Sequence, residues 1–425
     1  MEETRQDAEK LSRRRKAGFV WNALSIVAAG SSSVFLLMVV KRATDIEIGA
    51  YYSVAVAVAN VMINIGNLNS YGYQISDVLE KYSFRTYLVL RRIAVCAMLL
   101  ISAGYICVQA YEMQKAVIVY LYCAYRAIYA YADVYQGRYQ QKDRVDLAGK
   151  MQFFKVMVPD IALAIVVLVS HNVVYAIGIG MFVEIIYIMI YNQKHREFLI
   201  DTASVQTAWC MGLFRQCLPL FFSAFTTTYI LNSSKYAIDK LLDSEAQVYY
   251  SILLLPATTV HMIASFVYRP ILTDLAKDWT QGAYLHLKRQ IKIVLLIIFS
   301  GTVMVELLSG PIILPLLEWL YAAPELRDYH NAFYILLLAG GMNACVTFFS
   351  SLIIIMRMQD HMFWIYSVAF VASLVLPNVL VTRHQFMGAA ISFLTLVLVQ
   401  LFLIFGVYLK SMRHGKDGYN NYFYK

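Results

Sequence analysis

Few charged residues interrupt the long apolar runs of this 425-residue chain, and those that do fall in a pattern. Arg126 lies in VYLYCAYRAIYAYADVY, with Tyr122 four residues before it, Tyr129 three after and Asp133 seven after. At 3.6 residues per turn, all four share one helical face. That face reads aromatic, basic, aromatic, acidic, and suits a cavity that holds phosphate and stacks sugar rings. The competing reading is a buried guanidinium satisfied by a carboxylate from a neighbouring helix. Lys155 and Asp160 form a second group, with Pro159 between them to loosen the helix. Lys155 either faces a cavity or snorkels toward a membrane surface. Lys41 and Arg42 close one apolar run, and Lys235 and Asp239 close another. These basic residues either draw an anion or, for Lys235 and Asp239, form an i,i+4 salt bridge. Glu184 and Glu306 are lone acids, each either a proton carrier or a neutral or paired structural group. His261 reads as a core histidine.

The elements that position these residues are membrane spans. The chain is 60% hydrophobic and 15% charged, where soluble domains average about 45–50% and 25%. Mean hydropathy is +0.58. Windows of about 20 apolar residues mark crossings. They fall at 17–40, 48–68, 88–109, 113–135, 149–170, 172–192, 213–234, 246–268, 290–310, 332–356, 362–381 and 386–408. The expected fold is all-α and integral to the membrane, with about twelve spans. The polar opening MEETRQDAEK and the basic LSRRRK precede the first run with no cleavage-like site, so that run is expected to be a true span. Pro219, Pro256 and Pro377 interrupt spans seven, eight and eleven, where kinks would help helices bend.

Lys and Arg divide unequally between the two sides. One set of loops holds 27, from Arg5 to Lys425. The other holds 7: Lys41, Arg42, Lys115, Lys235, Lys240, Arg327 and Arg383. Arg126 and Lys155, which lie deeper inside their spans, are counted in neither set. The positive-inside rule makes both termini cytoplasmic. The net charge of +9 is thus a topology signal, and no nucleic-acid partner is expected. The outer loops are short, and no phosphate-cradling glycine loop, nucleophile elbow or metal cluster is visible, so the chain does not read as an enzyme. Cys96, Cys107, Cys123, Cys210, Cys217 and Cys345 form no CxxC or Cys/His spacing. No cofactor, disulfide or metal is expected.

A repeat runs through the chain. GAYYSVAVAVAN (49–60) opens the second span and QVYYSILLLPAT (247–258) opens the eighth. Each follows a long span that ends in basic and then acidic residues. Six plus six spans in one orientation would be parallel repeats, a layout many transporters use. The expected lobes are 1–203 and 204–425, around a central cavity.

Several stretches resemble bacterial O-antigen and capsular-polysaccharide flippases of the Wzx type, within the multidrug/oligosaccharidyl-lipid/polysaccharide exporter superfamily. They are GFVWNALSIV with Asn22, and YGYQISDVLEKYSFRTYLVLRR with Gln74, Asp77, Tyr82 and Arg91. Next comes DVYQGRYQQKDRVDLAGK, with Asp133, Gln136, Gly137, Gln140 and Gly149. Last are NSSKYAIDKLL and YYSILLLPATTV, with Asn232, Lys235, Tyr236, Asp239 and Pro256. They cover mainly spans one to five, seven and eight.

The resemblance implies two six-helix lobes, alternating access and a bacterial inner-membrane location. It also implies the substrate, an oligosaccharide on undecaprenyl pyrophosphate moved from the cytoplasmic to the periplasmic leaflet. Membrane lipids and other polysaccharide-assembly proteins would be the partners. Arg126 and Lys155 would then hold pyrophosphate, and Tyr122 and Tyr129, beside Asp133, the sugars. Lys41, Arg42, Lys235 and Asp239 would form an outer gate or release site. The rival functions are a multidrug exporter of the same superfamily, a membrane glycosyl polymerase and a structural assembly subunit.

Overall fold

The computed structural model describes residues 2–77, 80–201, 207–268, 271–356, 358 and 360–417. Of the basic residues counted above, Arg269, Arg357 and Lys425 lie outside the described residues. So do the side chains of the run from Arg5 to Lys16, of Pro219, and of Arg413 and Lys416. Every described regular element is helical. In chain order they are α1 (Glu2–Ala43), α2 (Ile46–Asn67), α3 (Ser70–Ser76), α4 (Phe84–Gln109) and α5 (Met113–Gln141). Then come α6 (Val145–Ser170), α7 (Val173–Lys194), α8 (Thr207–Leu241), α9 (Ser244–Tyr268) and α10 (Leu272–Thr280). The last are α11 (Tyr284–Leu308), α12 (Leu314–Tyr321), α13 (His330–Ile355) and α14 (Asp360–Asp417). A π-helical turn, Ser309–Ile313, joins α11 to α12.

Each of the twelve apolar windows lies on one of these helices. Eleven helices exceed twenty residues, and the last makes two spans. At 58 residues, α14 is far longer than a bilayer core of about 30 Å requires. Its backbone leaves helical geometry at Gln385 (φ 50°, ψ −130°). A Cβ on Gly388 would strike the backbone of Leu380, so the chain doubles back there. Among the described residues, eight stretches are long and apolar enough to cross a membrane on length and composition alone. The polar α5 is not one of them.

Local signals explain where helices start and stop. Ser83 accepts from the Thr86 amide at 3.2 Å, and Asn172 accepts from Val174 and Tyr175 at 3.0 and 3.2 Å. Asp243 accepts from Ala246 at 2.8 Å. Each satisfies an amide that the first helical turn leaves open. Leu68, Ala110, His171 and Ala322 end helices in left-handed geometry without glycine.

The chain resolves into two compact units, Met1–Phe225 and Thr226–Lys425, so the division falls inside α8. Leu213 and Cys217 of α8 belong to an apolar cluster with Tyr87, Leu90 and Val134 of the first unit. Within the first unit α1 packs on α6, α2 on α5 and α4, α4 on α5, and α6 on α7. The second unit repeats this plan. There α9 packs on α13 and α11, and α11 on α13. Its α8 meets α14 through Ser234–Ser392 (2.8 Å) and the Tyr229 and Phe370 rings (5.1 Å). Even the short helices correspond, with α3 against α5 and α10 against α13.

The duplicated Tyr-Tyr-Ser has a structural meaning in both units. Tyr51 donates to Glu47 on its own helix and to Glu112, which precedes α5, at 2.5 and 3.1 Å. Tyr249 donates to Glu325, in the turn before α13, at 3.2 Å. The next residue, Tyr52 or Tyr250, is fully buried. Asp45-x-Glu47-x-x-x-Tyr-Tyr-Ser therefore recurs as Asp243-x-Glu245-x-x-x-Tyr-Tyr-Ser, and each copy pins the second long helix of its unit to the loop before the fourth.

Close packing holds the bundles together. A Cβ on Gly149 of α6 would come within 2.9 Å of the Trp21 and Asn22 backbone of α1. One on Gly340 of α13 would come within 2.9 Å of the Ala257 Cα of α9.

Candidate functional site

The face predicted on α5 exists, and its members differ in what they touch. Gln152 of α6 donates to the Tyr129 hydroxyl. Lys155, one turn further along α6, has no exposed side-chain area. Its ammonium lies 2.5 Å from Asp133 Oδ1 and 3.7 Å from the Tyr129 ring centroid. The charge of Lys155 is therefore already balanced by a carboxylate.

Arg126 is held otherwise. Its guanidinium carbon lies 4.4 Å from the Tyr129 ring centroid. Among the described residues it makes no hydrogen bond and no ion pair, and its Nε is buried without a partner. Of the two readings available from sequence, a guanidinium satisfied by a neighbouring acid does not describe this geometry. Attraction to a ring face contributes about 0.5–2 kcal/mol and supplies no hydrogen-bond acceptor to the guanidinium.

Tyr122 is buried, with its ring 5.3 Å from Tyr52 and 5.8 Å from Tyr125. The Tyr125 hydroxyl donates to Asp160 Oδ1 at 3.0 Å, and Asp160 Oδ2 has no partner among the described residues. Glu184 of α7 is fully buried, and neither of its carboxyl oxygens has a hydrogen-bond partner among them. Lys155, Arg126, Asp160 and Asp133 are the charged groups whose fields reach it. The first unit thus encloses a polar interior built by α2, α5, α6 and α7. Gln152, Tyr125 and Tyr52 belong to it but were not expected from sequence. Gln152 was detectable in principle, since it lies one turn from Lys155 on the same helix.

The remaining predicted residues lie apart from this cluster. Lys41 is half-buried and Arg42 exposed, at the end of α1. Lys235 of the second unit is 9% exposed and has neither a hydrogen bond nor an ion pair among the described residues. Asp239 is half-buried, and among the described residues no salt bridge joins it to Lys235. Glu306 of α11 is half-buried, with Oε1 unpartnered.

Most of the motif residues that carried the family resemblance in the first unit do scaffolding work. Gln74 donates to the Val134 carbonyl at 3.1 Å, and Tyr71 donates to Gln140 at 2.5 Å. Asp77 accepts from the Lys81 and Tyr82 amides and from the Tyr87 hydroxyl at 2.8, 3.1 and 3.0 Å. Arg91 donates to Gly66 O, Asn67 Oδ1 and Ser70 Oγ at 3.1, 2.6 and 3.1 Å. Beside them Glu80 pairs with Arg138 at 3.0 Å and with Lys142. Partial burial works to raise the Glu80 carboxyl, but the hydrogen bonds and charges of Lys142 and Arg138 outweigh it and hold it below its ordinary range.

This arrangement of helices is the fold of the MATE and related MOP-superfamily transporters. The chain superposes on an inward-facing multidrug resistance MATE family transporter with a TM-score of 0.66, at 11% identity, covering 93% of this chain and 95% of that one. A point mutant of the Vibrio cholerae MATE transporter VcmN gives 0.61 at 12% identity, covering 96% and 98%. The lipid II flippase MurJ, in an inward closed conformation, gives 0.63 at 13% identity, covering 93% and 90%. No protein-family model and no curated protein sequence matches the chain. At these identities the likeness shows the fold: a multi-pass, all-α membrane protein of the twelve-helix, two-lobe type.

Proposed function

We propose that this protein is a flippase that moves an undecaprenyl-pyrophosphate-linked oligosaccharide from the cytoplasmic to the periplasmic leaflet by alternating access. The observation that carries the reading is Arg126, a guanidinium inside a membrane-spanning unit with no counter-ion of its own. A charge at that depth is costly and marks a binding site by default. A pyrophosphate would supply the missing acceptors, and guanidinium–phosphate contacts are among the stronger hydrogen bonds available. Lys235, buried and without an ion pair among the described residues, supports a second anionic contact within the second unit. Lys155 and Asp133 neutralise one another, so they fit a bracing role better than direct contact.

The transporter fold, the absence of enzyme motifs from the sequence and the resemblance to O-antigen and capsule flippases all favour transport of a lipid-linked sugar. The 27-to-7 division of basic residues supports cytoplasmic termini, and the resemblance to bacterial flippases supports an inner-membrane location. An ion gradient would supply the driving force, and the unpartnered Glu184 carboxyl is suited to carry a proton. A second reading, an exporter of cationic drugs, is favoured by that same carboxyl, and a resistance assay with and without the gene separates the two.

The decisive experiment is leaflet translocation of a defined lipid-linked sugar by reconstituted protein, with surface polysaccharide measured in parallel. Arg126→Ala should abolish both while the protein still reaches the membrane. Full transport by Arg126→Ala would remove that residue from the mechanism.

A further inference from the structure

Two cations lie over a single aromatic ring in the first unit. The Tyr129 centroid is 4.4 Å from the Arg126 guanidinium carbon and 3.7 Å from the Lys155 ammonium. Only one of those cations has a carboxylate. Lys155 takes Asp133, the acid that shares a helix face with Arg126, and Gln152 fixes the ring by donating to its hydroxyl. Arg126 is left with the ring and no acceptor among the described residues.

We infer that Tyr129 is the positioning residue that holds the Arg126 guanidinium extended and uncompensated, and that Gln152, Lys155 and Asp133 brace the ring for that purpose. The physical logic is a choice between two supports. A carboxylate partner would fix the guanidinium more firmly, but an arriving phosphate would then have to displace it. A ring face attracts the cation through its quadrupole and has no lone pair to compete with phosphate. It therefore orients the group and leaves its hydrogen-bond donors open. The ring that looked from sequence like a platform for sugar is on this account already occupied.

The inference rests on the proposed role of Arg126, and the test keeps the two apart. Binding of farnesyl pyrophosphate to purified, detergent-solubilised full-length protein is measured by calorimetry for four variants. They are Arg126→Ala, Tyr129→Phe, Tyr129→Leu and the Arg126→Ala/Tyr129→Leu double variant. Tyr129→Phe keeps the ring and should bind within about threefold of the wild type. Tyr129→Leu should bind about tenfold more weakly, the scale of a desolvated cation–ring contact. In the Arg126→Ala background the leucine substitution should add nothing, because the guanidinium it positions is gone.

Wild-type affinity in Tyr129→Leu, or an equal loss from it with and without Arg126, would overturn the inference. A silent Arg126→Ala would overturn the proposed function as well, whereas a damaging Arg126→Ala with a silent Tyr129→Leu sinks only the positioning role. If the leucine variant does not fold, Tyr129→Met, of similar bulk and without a ring, is subject to the same two outcomes.

Discussion

Tyr51 in the first unit and Tyr249 in the second make the same contact, a phenol donated to a glutamate at the loop before the fourth long helix. Five helix pairings correspond in the same way. Yet the interiors diverge. In the first unit, α5 carries Arg126, Tyr129 and Asp133, and Lys155, Asp160 and Glu184 come in from α6 and α7. The corresponding α13 of the second unit carries no Asp, Glu, Lys or Arg and relies on Gly340 and Gly341 for close approach. Lys235 is the one buried charged side chain described in that unit. A duplicated scaffold can therefore keep its outer fastenings in both copies while most of the costly interior charges sit in one. Scaffold changes should harm both units alike, and charge changes should harm chiefly the first.

The largest effects should come from packing. Gly149→Leu and Gly340→Leu each force a side chain into a neighbouring backbone, and each should remove most of the folded protein recovered from membranes. Size-exclusion profiles would show whether one unit tolerates what the other does not, which would break the symmetry of the scaffold.

Next in size is the charged interior. Glu184→Gln keeps the shape of a fully buried group and should lower translocation about tenfold or more, with a flattened dependence on pH. Glu306→Gln, in the second unit, should stay within about twofold. An equal loss from both would erase the distinction between the units.

Smaller still are the fastenings. Tyr51→Phe and Tyr249→Phe should each cost about 1 kcal/mol of stability, the usual net value of one hydrogen bond, read as similar drops in melting temperature. Unequal drops would show that only one copy of the repeat still contributes.

The smallest effect expected is at Glu80. Its carboxyl is held below its ordinary range, so the stability it contributes is present above about pH 4.3, the value for a free glutamate, and is lost as pH falls through the lowered value. The thermal midpoint of Glu80→Gln should lie slightly below that of the wild type at pH 7, and the gap should close in acid.

The spans were legible because twenty apolar residues in a row have few other uses. The joint between the last two was legible too, since the windows part at 381 and 386 and the backbone turns at Gln385. The short helices α3 and α10 were not, being 7 and 9 residues long and partly polar. The repeat was visible in Tyr-Tyr-Ser, although its glutamate partners lie 61 and 76 residues away and only the fold brings them together. Arg126 and Tyr129 could be read as neighbours from their spacing on one helix. That Lys155 would take Asp133 depends on the register of α6 against α5, which no single-helix pattern encodes. That the Tyr122 ring packs against Tyr52 of another helix was hidden for the same reason.

The central claim is that the Arg126 guanidinium is kept open for a phosphate. The most direct measurement is the affinity of the purified wild type, Arg126→Lys and Arg126→Ala for farnesyl pyrophosphate in the same micelles. Loss of about ten- to a hundredfold in the alanine variant, with lysine between the two, is the predicted result. Equal affinity in all three proteins would contradict it.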